Sequence, residues 1–350
     1  MDAPALLDRA SGALHGLAIG DAMGMPTQLM SRAEVVAHYG KQLEWFEPAA
    51  ASHPLAAGLA AGSVTDDTEQ AVLLAELLVA GGGAVDPHVW VQALQDWEAD
   101  MVRRGSADLL GPSTRRALRA VSEGVDPGLA GATGDTNGAA MRIAPVGVAV
   151  PVDDDAQLDT LVSAVVQVSR VTHGTDVGLA GAVAVAAAVS AGVSGAGVVA
   201  ACDLGIRAAP LGAARGRGTE APPLESLLLR AVRLGHDLAA APDDAAEVID
   251  SQVGTGLATV ESVPAAFAVL AVHPDDPWAA CRLAASLGGD SDTIAAVVGA
   301  VSGACLGAGR FPSRARELVT RVNGLPLVAL AVGLLELRRA SPAYRGRAAP

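Results

Sequence analysis

The chain has 350 residues, of which 51% are apolar and only 3% aromatic, so it is long enough to bury most of its apolar surface in one large domain or two smaller ones. Its formal net charge of −14 argues against a nucleic-acid partner, because phosphate binding requires clustered lysine and arginine. The excess of carboxylates is compatible with cation binding or simply with solubility.

The beginning of the chain carries acids and lacks the basic region that precedes the apolar stretch of a secretory signal. Residues 179–202 form an uncharged stretch, but glycines and serines interrupt it. We interpret it as a buried helix ending near Ala191, a Gly-rich turn and a second helix, not as a membrane span. Cys202, Cys281 and Cys305 show no CxxC or zinc spacing and are expected to be buried thiols of a cytoplasmic protein.

Helical signals dominate the chain. Capping residues and apolar patterns predict helices over 72–79, 87–102, 113–123, 157–169, 293–306, 315–322 and 325–338. Strand signals such as 146–150 are too short for a sheet, and residues 208–223, rich in Gly, Pro and Arg, are predicted to form a surface loop. No internal repeat or boundary is evident, so we predict a single all-α domain over 1–340 and a flexible tail over 341–350.

Two acidic clusters lie at predicted helix starts more than two hundred residues apart, in segments 62–69 and 288–293. Each combines a flexible lead-in, two carboxylates and a threonine hydroxyl. Helix capping explains one acid at each start. Crowded acids repel one another unless a cation lies among them, so two similar clusters favour metal binding.

The candidate donors are hard oxygen ligands, which suit Mg²⁺, Mn²⁺ or Ca²⁺ and not zinc. Adjacent Asp66 and Asp67 project about 100° apart on a helix and would reach two ions side by side. Asp290 and Asp292 could close the same pair from the other side. Such a two-metal centre, with ions roughly 3.5–4 Å apart, activates a water and orients substrate oxygens.

Five motifs in order resemble the ADP-ribosylglycohydrolase family, over nearly the whole chain from about 14 to 312. They are Gly16-Leu-Ala-Ile-Gly20-Asp21-Ala-Met-Gly24, Gly62-Ser-Val-Thr65-Asp66-Asp67-Thr68, Thr136-Asn137-Gly138-Ala-Ala-Met141-Arg142, Thr172-His173 and Gly288-Gly289-Asp290-Ser-Asp292-Thr293. The resemblance implies a single-domain, all-α orthogonal helical bundle with two Mg²⁺ or Mn²⁺ ions in a cleft. It implies that the metal ligands are Thr65, Asp66, Asp67, Asp290, Asp292 and Thr293.

The resemblance also implies a substrate-binding set. It places Asn137, Gly138 and Arg142 by the ribose and phosphates, and a guanidinium matches phosphate geometry. The other implied members are His173 near the ribose, and Gly254 and Gly256 with Glu261 in a Gly-rich wall. Asp21 is expected to brace the Gly-rich first loop, and a family acid falls near Asp108.

One position departs from the family pattern. Many members carry a glutamate a few residues after the first motif, thought to act as a mobile base or substrate clamp, and here Gln28 stands at that position. An amide cannot take up a proton near neutral pH. General-base catalysis, typically worth about 10²–10⁴-fold, must then come from elsewhere or be absent.

These features predict a hydrolase that cleaves a glycosidic bond at ribose C1′ of an ADP-ribosylated or related riboside substrate. The candidate catalytic residues are Asp66, Asp67, Asp290 and Gln28, with two Mg²⁺ or Mn²⁺ ions as cofactors. Alternatives are a hydrolase of a small nucleoside or nucleoside-like metabolite, an ADP-ribose-binding protein with little or no turnover, and a purely structural helical protein without metal. We expect no nucleic-acid or membrane partner, and a monomer or dimer.

Overall fold

The computed structural model describes residues 2–106 and 110–341, except for the side chain of Asp155. Its helices in the first half are α1 (Ala3–Gly24), α2 (Arg32–Tyr39), α3 (Asp66–Ala80), α4 (Pro87–Arg103), α5 (Pro112–Ser122), α6 (Pro127–Ala130), α7 (Gly138–Met141), α8 (Ala144–Ala149) and α9 (Asp155–Ser169). The second half contains α10 (Asp176–Val193), α11 (Val198–Ala213), α12 (Leu224–Leu238), α13 (Ala245–Gln252), α14 (Thr259–Val272), α15 (Pro277–Ala285), α16 (Ser291–Leu306), α17 (Ser313–Asn323) and α18 (Leu327–Ala340). The described residues contain isolated β-bridges but no strand.

The all-α fold class predicted from the sequence is confirmed, and each predicted helix is present, with bounds that differ from the prediction by at most six residues. The helix predicted over 72–79 begins at Asp66, so the acids of the first cluster lie inside its first turn. In the same way, Asp292 lies in the first turn of α16. Residues 342–350 of the predicted tail, and Asp108, lie outside the described residues.

The predicted loop 208–223 is partly wrong, because α11 continues through Pro210 and ends at Ala213. Its buried face packs on α10, where a Cβ on Gly212 would lie 2.7 Å from the carbonyl oxygen of Leu179. Pro210 removes one backbone donor, but this apolar contact keeps the segment helical.

The first motif is also not a loop. Residues 16–24 lie in α1, whose glycines at every fourth position form one face of the helix. Glycine lowers helix propensity, and that effect favours a loop when only the local sequence is considered. Packing against α16 explains the observed helix.

Most of the buried apolar residues form one continuous cluster that extends from Leu6 in α1 to Leu335 in α18, and a small second cluster contains Met25, Ala49 and Ala56. Helices α10, α14 and α16 are buried along nearly their whole length. Helix α10 is long and apolar enough to cross a membrane, but 94% of it is buried inside the protein. Helices α17 and α18 reach this length and hydropathy only when they are taken together as one span, which is bent by 96°. The three cysteines are buried and free, as predicted.

Candidate active site

Helix α1 determines how the two acidic helix starts approach each other. A Cβ added to Gly20 would lie 1.8 Å from the carbonyl oxygen of Ala295 in α16, and one on Gly24 would lie 2.4 Å from that of Ser291. Only glycine permits this separation, because any side chain would overlap with the backbone of α16. The last turn of α1 therefore lies directly against the first turn of α16, where the second acidic cluster begins.

Asp21, in the same turn of α1, holds the start of α3 in place through hydrogen bonds. Its carboxylate accepts hydrogen bonds from the backbone N–H of Thr65 (3.0 Å) and Thr68 (3.1 Å) and from both threonine hydroxyls. Burial raises the pKa of Asp21 to about 6, against the opposing effect of these hydrogen bonds. Asp21 thus braces the first acidic helix and not a loop. Helix α1 therefore contacts the starts of both α3 and α16, although the two acidic clusters are far apart in the sequence.

Helix capping does not explain the two clusters. Thr65 and Asp290 are the N-cap residues of α3 and α16, yet neither side chain accepts a hydrogen bond from a backbone N–H of its own helix. Asp67 is buried, and its Oδ1 atom has no hydrogen-bond partner. The arrangement leaves carboxylate oxygens available for a ligand.

The four carboxylates of the clusters face one cavity. Burial raises the pKa of Asp67 well above its ordinary value, and the neighbouring charges of Asp292, Asp66, Asp21 and Asp290 raise it further. Mutual repulsion of this kind is relieved by protons or by a cation. The acids are therefore close enough to influence one another although their helix starts are far apart in sequence.

The donor set suits a hard divalent cation. The side chains of Asp66, Asp67, Asp290, Asp292 and Thr293 line the cavity, while Thr65 lies just behind them, with its hydroxyl 3.3 Å from Oδ2 of Asp67. Within the described residues, no three His, Cys, Asp or Glu side chains converge tightly enough to enclose an ion by themselves. Threonine oxygens, water or substrate would therefore have to complete the coordination.

Asn137 lines the cavity and contacts the second acidic cluster. Its side-chain amide donates to Asp290 and, at 2.9 Å, to the hydroxyl of Ser262. Burial raises the pKa of Asp290, while the hydrogen bonds from Asn137 and Thr293 oppose that rise. Asn137 therefore orients a candidate metal ligand.

The cavity has a volume of about 470 Å³, which lies in the usual range for small-molecule sites. Part of its wall is aliphatic. The residues of this part are Leu29, Leu55, Leu110, Pro112, Met141 and Leu257. A cavity lined by both carboxylates and aliphatic side chains suits a ligand that combines hydroxyl groups with an apolar or aromatic portion.

The prediction that Arg142 binds phosphate does not match its position. Arg142 is buried, does not line the cavity, and lies with its guanidinium carbon 5.2 Å from the ring centre of Trp90. It donates to the side-chain oxygens of Gln70 and Thr172, and Gln70 in turn donates to Asp66 at 2.9 Å. Burial lowers the pKa of Arg142 to about 10, so the side chain stays charged at neutral pH and acts as an internal brace. Sequence could not reveal this, because the direction of the side chain depends on helix packing.

Some of the other predicted binding residues line the cavity, and the rest lie behind its wall. Gly138, His173 and Gly256 line the cavity. Gly254 does not line it; it adopts a φ of +91°, a conformation that suits glycine, in the turn before Gly256. The carboxylate of Glu261 accepts the backbone N–H of Gly256 at 2.9 Å, so Glu261 supports the Gly-rich wall from behind.

Gln28 lies at the cavity, as its sequence position suggested. It is buried, and its side-chain nitrogen has no hydrogen-bond partner. Nδ1 of His53 accepts the backbone N–H of Ala56 at 2.8 Å, so Nε2 carries the hydrogen and donates to the backbone carbonyl oxygen of Gln28 at 2.9 Å. The next residue, Leu29, has a φ of +62° and is the one described non-glycine residue in the left-handed region. A strained segment thus presents the amide to the cavity.

Sequence reasoning missed several lining residues. Thr114, Arg115 and Thr136 belong to the wall, together with Leu110 and Leu257. Thr114 and Arg115 are in the first turn of α5, a helix start whose N-cap Gly111 has no side chain to satisfy its N–H groups. Gly111 and Pro112 at the start of this helix, which also line the cavity, are the sequence signal for this part of the wall.

A second cavity of about 340 Å³ shares Leu55 and Asp66 with the first. Its polar wall contains Arg104 and Glu69, which form an ion pair at 3.1 Å. The indole N–H of Trp97 donates to the same Glu69 carboxylate at 2.6 Å. Asp66 therefore lines both cavities.

Comparison with known proteins agrees with this architecture. A family model described as ADP-ribosylglycohydrolase matches residues 2–343. The chain is 33% identical to the Escherichia coli protein YegU, over 95% of this chain and 98% of that protein. It is 27% identical to the ADP-ribosylhydrolase ARH3 of Bos taurus, over 87% of each chain. A solved structure described as an ADP-ribosylglycohydrolase-related protein complex superposes with a TM-score of 0.69 at 27% identity, covering 96% of this chain and 99% of that one. The resemblance inferred from five motifs is thereby confirmed: the chain belongs to the ADP-ribosylglycohydrolase family, glycoside hydrolases that act on ADP-ribosyl linkages.

Proposed function

We propose that this protein is a divalent-metal-dependent hydrolase that cleaves the C1′ glycosidic bond of an ADP-ribosylated or related riboside substrate. The observation that carries the proposal is the convergence of four carboxylates from two distant helix starts on one cavity, with Oδ1 of Asp67 buried and unpartnered. Helix capping does not explain such crowding, because the N-cap side chains of α3 and α16 do not cap their own helices.

The residues that would hold two Mg²⁺ or Mn²⁺ ions are Thr65, Asp66, Asp67, Asp290, Asp292 and Thr293. Bound there, the ions would supply electrostatic stabilisation and acidify a water. The chain itself orients this set: Asp21 fastens the start of α3, and Asn137 holds Asp290. The carboxylates also stabilise positive charge that develops at C1′ as the glycosidic bond breaks.

A smaller riboside is the second candidate substrate. Among the described lining residues of the cavity, Arg115 is the one arginine or lysine, and Arg142 lies behind the wall. A diphosphate would therefore meet little positive charge from side chains. The second cavity beyond Asp66 offers space for a leaving group of either substrate.

The test is hydrolysis in the presence of Mg²⁺ or Mn²⁺ by the native protein and by Asp67→Asn and Asp292→Asn. Both variants should lose metal-dependent release of ribose product at least 10²-fold, since each removes a charge that the ions need. Asp203, exposed on α11, provides a charge-matched control, and Asp203→Asn should retain full activity. Chromatography of reactions with ADP-ribosyl-arginine, an ADP-ribosyl-serine peptide and free nucleosides identifies the substrate class. Full activity of either cluster variant in EDTA would rule the proposal out, and tight ADP-ribose binding without any product would indicate a binding protein.

A further inference from the structure

The side chains around His173 form a hydrogen-bond relay that ends at the cavity. Arg142 donates to the hydroxyl oxygen of Thr172 at 2.6 Å, and that oxygen lies 2.8 Å from Nδ1 of His173. On the other side of the ring, Nε2 lies 3.0 Å from the hydroxyl oxygen of Thr136. Thr136 is half-buried and lines the cavity.

The arginine fixes the direction of every bond in this relay. A guanidinium can only donate, so the oxygen of Thr172 must accept from Arg142. Thr172 is completely buried, and the remaining side-chain partner of its hydroxyl among the described residues is Nδ1 of His173. The hydroxyl hydrogen therefore points to Nδ1. The opposite arrangement would bury that hydrogen without an acceptor, which costs free energy.

The imidazole is consequently neutral, with its hydrogen on Nε2. Burial and the nearby charges of Arg142 and Arg116 hold the pKa of His173 well below its ordinary range, which agrees with this geometry. The Nε2–H group of His173 donates to the hydroxyl oxygen of Thr136. The hydroxyl hydrogen of Thr136 must therefore point away from His173. Within the described part of the chain, no protein acceptor is positioned to receive it.

We propose that Thr136 is a substrate-binding residue, whose hydroxyl hydrogen the Arg142–Thr172–His173 relay directs into the cavity toward an acceptor oxygen of the substrate. Arg142, Thr172 and His173 are positioning residues in this assignment. The inference rests on the proposed function only for the identity of the ligand. Thr114 also lines the cavity. A Cβ added to Gly138 would be 3.0 Å from Nε2 of His173 and 3.8 Å from the hydroxyl oxygen of Thr114, so Thr114 lies near the His173 ring.

The tautomer is tested on the full-length protein labelled with ¹⁵N in its histidine rings. Long-range ¹H–¹⁵N correlation spectra of the metal-free and Mg²⁺-loaded protein should show His173 protonated at Nε2 and unprotonated at Nδ1. The His173 signals are identified by their disappearance in His173→Gln. A hydrogen on Nδ1 would overturn the relay, whether or not the protein has any activity.

Binding is tested by titration calorimetry with ADP-ribose, ADP and adenosine at millimolar Mg²⁺. Thr136→Val should weaken ADP-ribose binding about 10- to 100-fold, the loss expected for one hydrogen bond to a charged oxygen. Thr136→Ser, which keeps the hydroxyl, should stay within about threefold of native, and so should Thr133→Val, a matched change at an exposed neighbour.

The three ligands distinguish the source of the acceptor oxygen. A loss shared by ADP-ribose and ADP places a phosphate oxygen at Thr136, whereas a loss confined to ADP-ribose places an oxygen of the distal ribose there. Native-like affinity of Thr136→Val for all ligands would overturn the assignment. If the native protein neither binds ADP-ribose nor cleaves any riboside, the proposed function fails, while the tautomer result still decides whether the relay exists.

Discussion

At the scale of single residues, the amide at Gln28 has the clearest chemical consequence. A carboxylate at this position could take a proton from an attacking water or clamp a hydroxyl, whereas an amide can only form hydrogen bonds. The structure shows that Gln28 lies at the cavity with an unpartnered side-chain nitrogen. The side chain is thus available to a ligand, but it cannot supply the general-base catalysis that a carboxylate at this position could.

This leads to a prediction for Gln28→Glu. Introducing a carboxylate should raise kcat at neutral pH by about 10²-fold, the lower end of what a general base typically contributes. Steady-state kinetics on the substrate found by chromatography would measure the change. Gln28→Met, which has a similar length and no polar head, is the matched control and should show no gain. A Gln28→Glu variant no faster than native would mean that residue 28 does not reach the reacting atoms.

At the scale of secondary-structure elements, the contact between α1 and α16 holds the site together. Their backbones approach so closely at Gly12, Gly16, Gly20 and Gly24 that no side chain fits between them. Because Asp21 on the same helix fastens α3, a small shift of α1 would separate the two acidic clusters.

We therefore predict that Gly20→Ala destabilises the protein by about 3 kcal/mol, because its methyl group would overlap with backbone atoms that cannot move aside. The free energy of unfolding, measured by urea denaturation, reports this directly. Gly218 has open space around its Cα, so Gly218→Ala should change stability by less than about 1 kcal/mol. Equal stability of the two variants would contradict the close contact of the helices.

At the scale of the whole molecule, the candidate metal site joins segments that are more than two hundred residues apart. Without a cation, burial and mutual repulsion of the carboxylates oppose folding, as the raised pKa of Asp67 indicates. A bound divalent ion would reverse that effect, so metal should stabilise the entire fold.

We predict that saturating Mg²⁺ or Mn²⁺ raises the free energy of unfolding by about 2.7 kcal/mol at one hundred times its Kd, which corresponds to a Tm increase of a few degrees. Differential scanning calorimetry in metal and in EDTA would detect the change. The charge-matched Asp203→Asn should respond like the native protein, and Asp292→Asn should not respond. An identical Tm of the native protein in EDTA and in metal would remove the support for a metal centre.

Local sequence patterns predicted much of the helical secondary structure. Capping residues and apolar periodicity placed helices such as α4, α9 and α16 within two residues of their observed bounds. Local propensity failed at α1 and at Pro210, where tertiary packing outweighs the low helix preference of glycine and proline.

The sequence by itself determined the helical class, the two acidic helix starts, the hard-oxygen character of the donor set and the unusual amide at Gln28. These properties depend on residue type and on neighbours within one or two helical turns. Only the tertiary structure decided that Arg142 faces inward to a relay and that Thr136 reaches the cavity. The reason is physical: which face of a helix meets which neighbour depends on how closely the backbones pack, and this involves residues far apart in the chain.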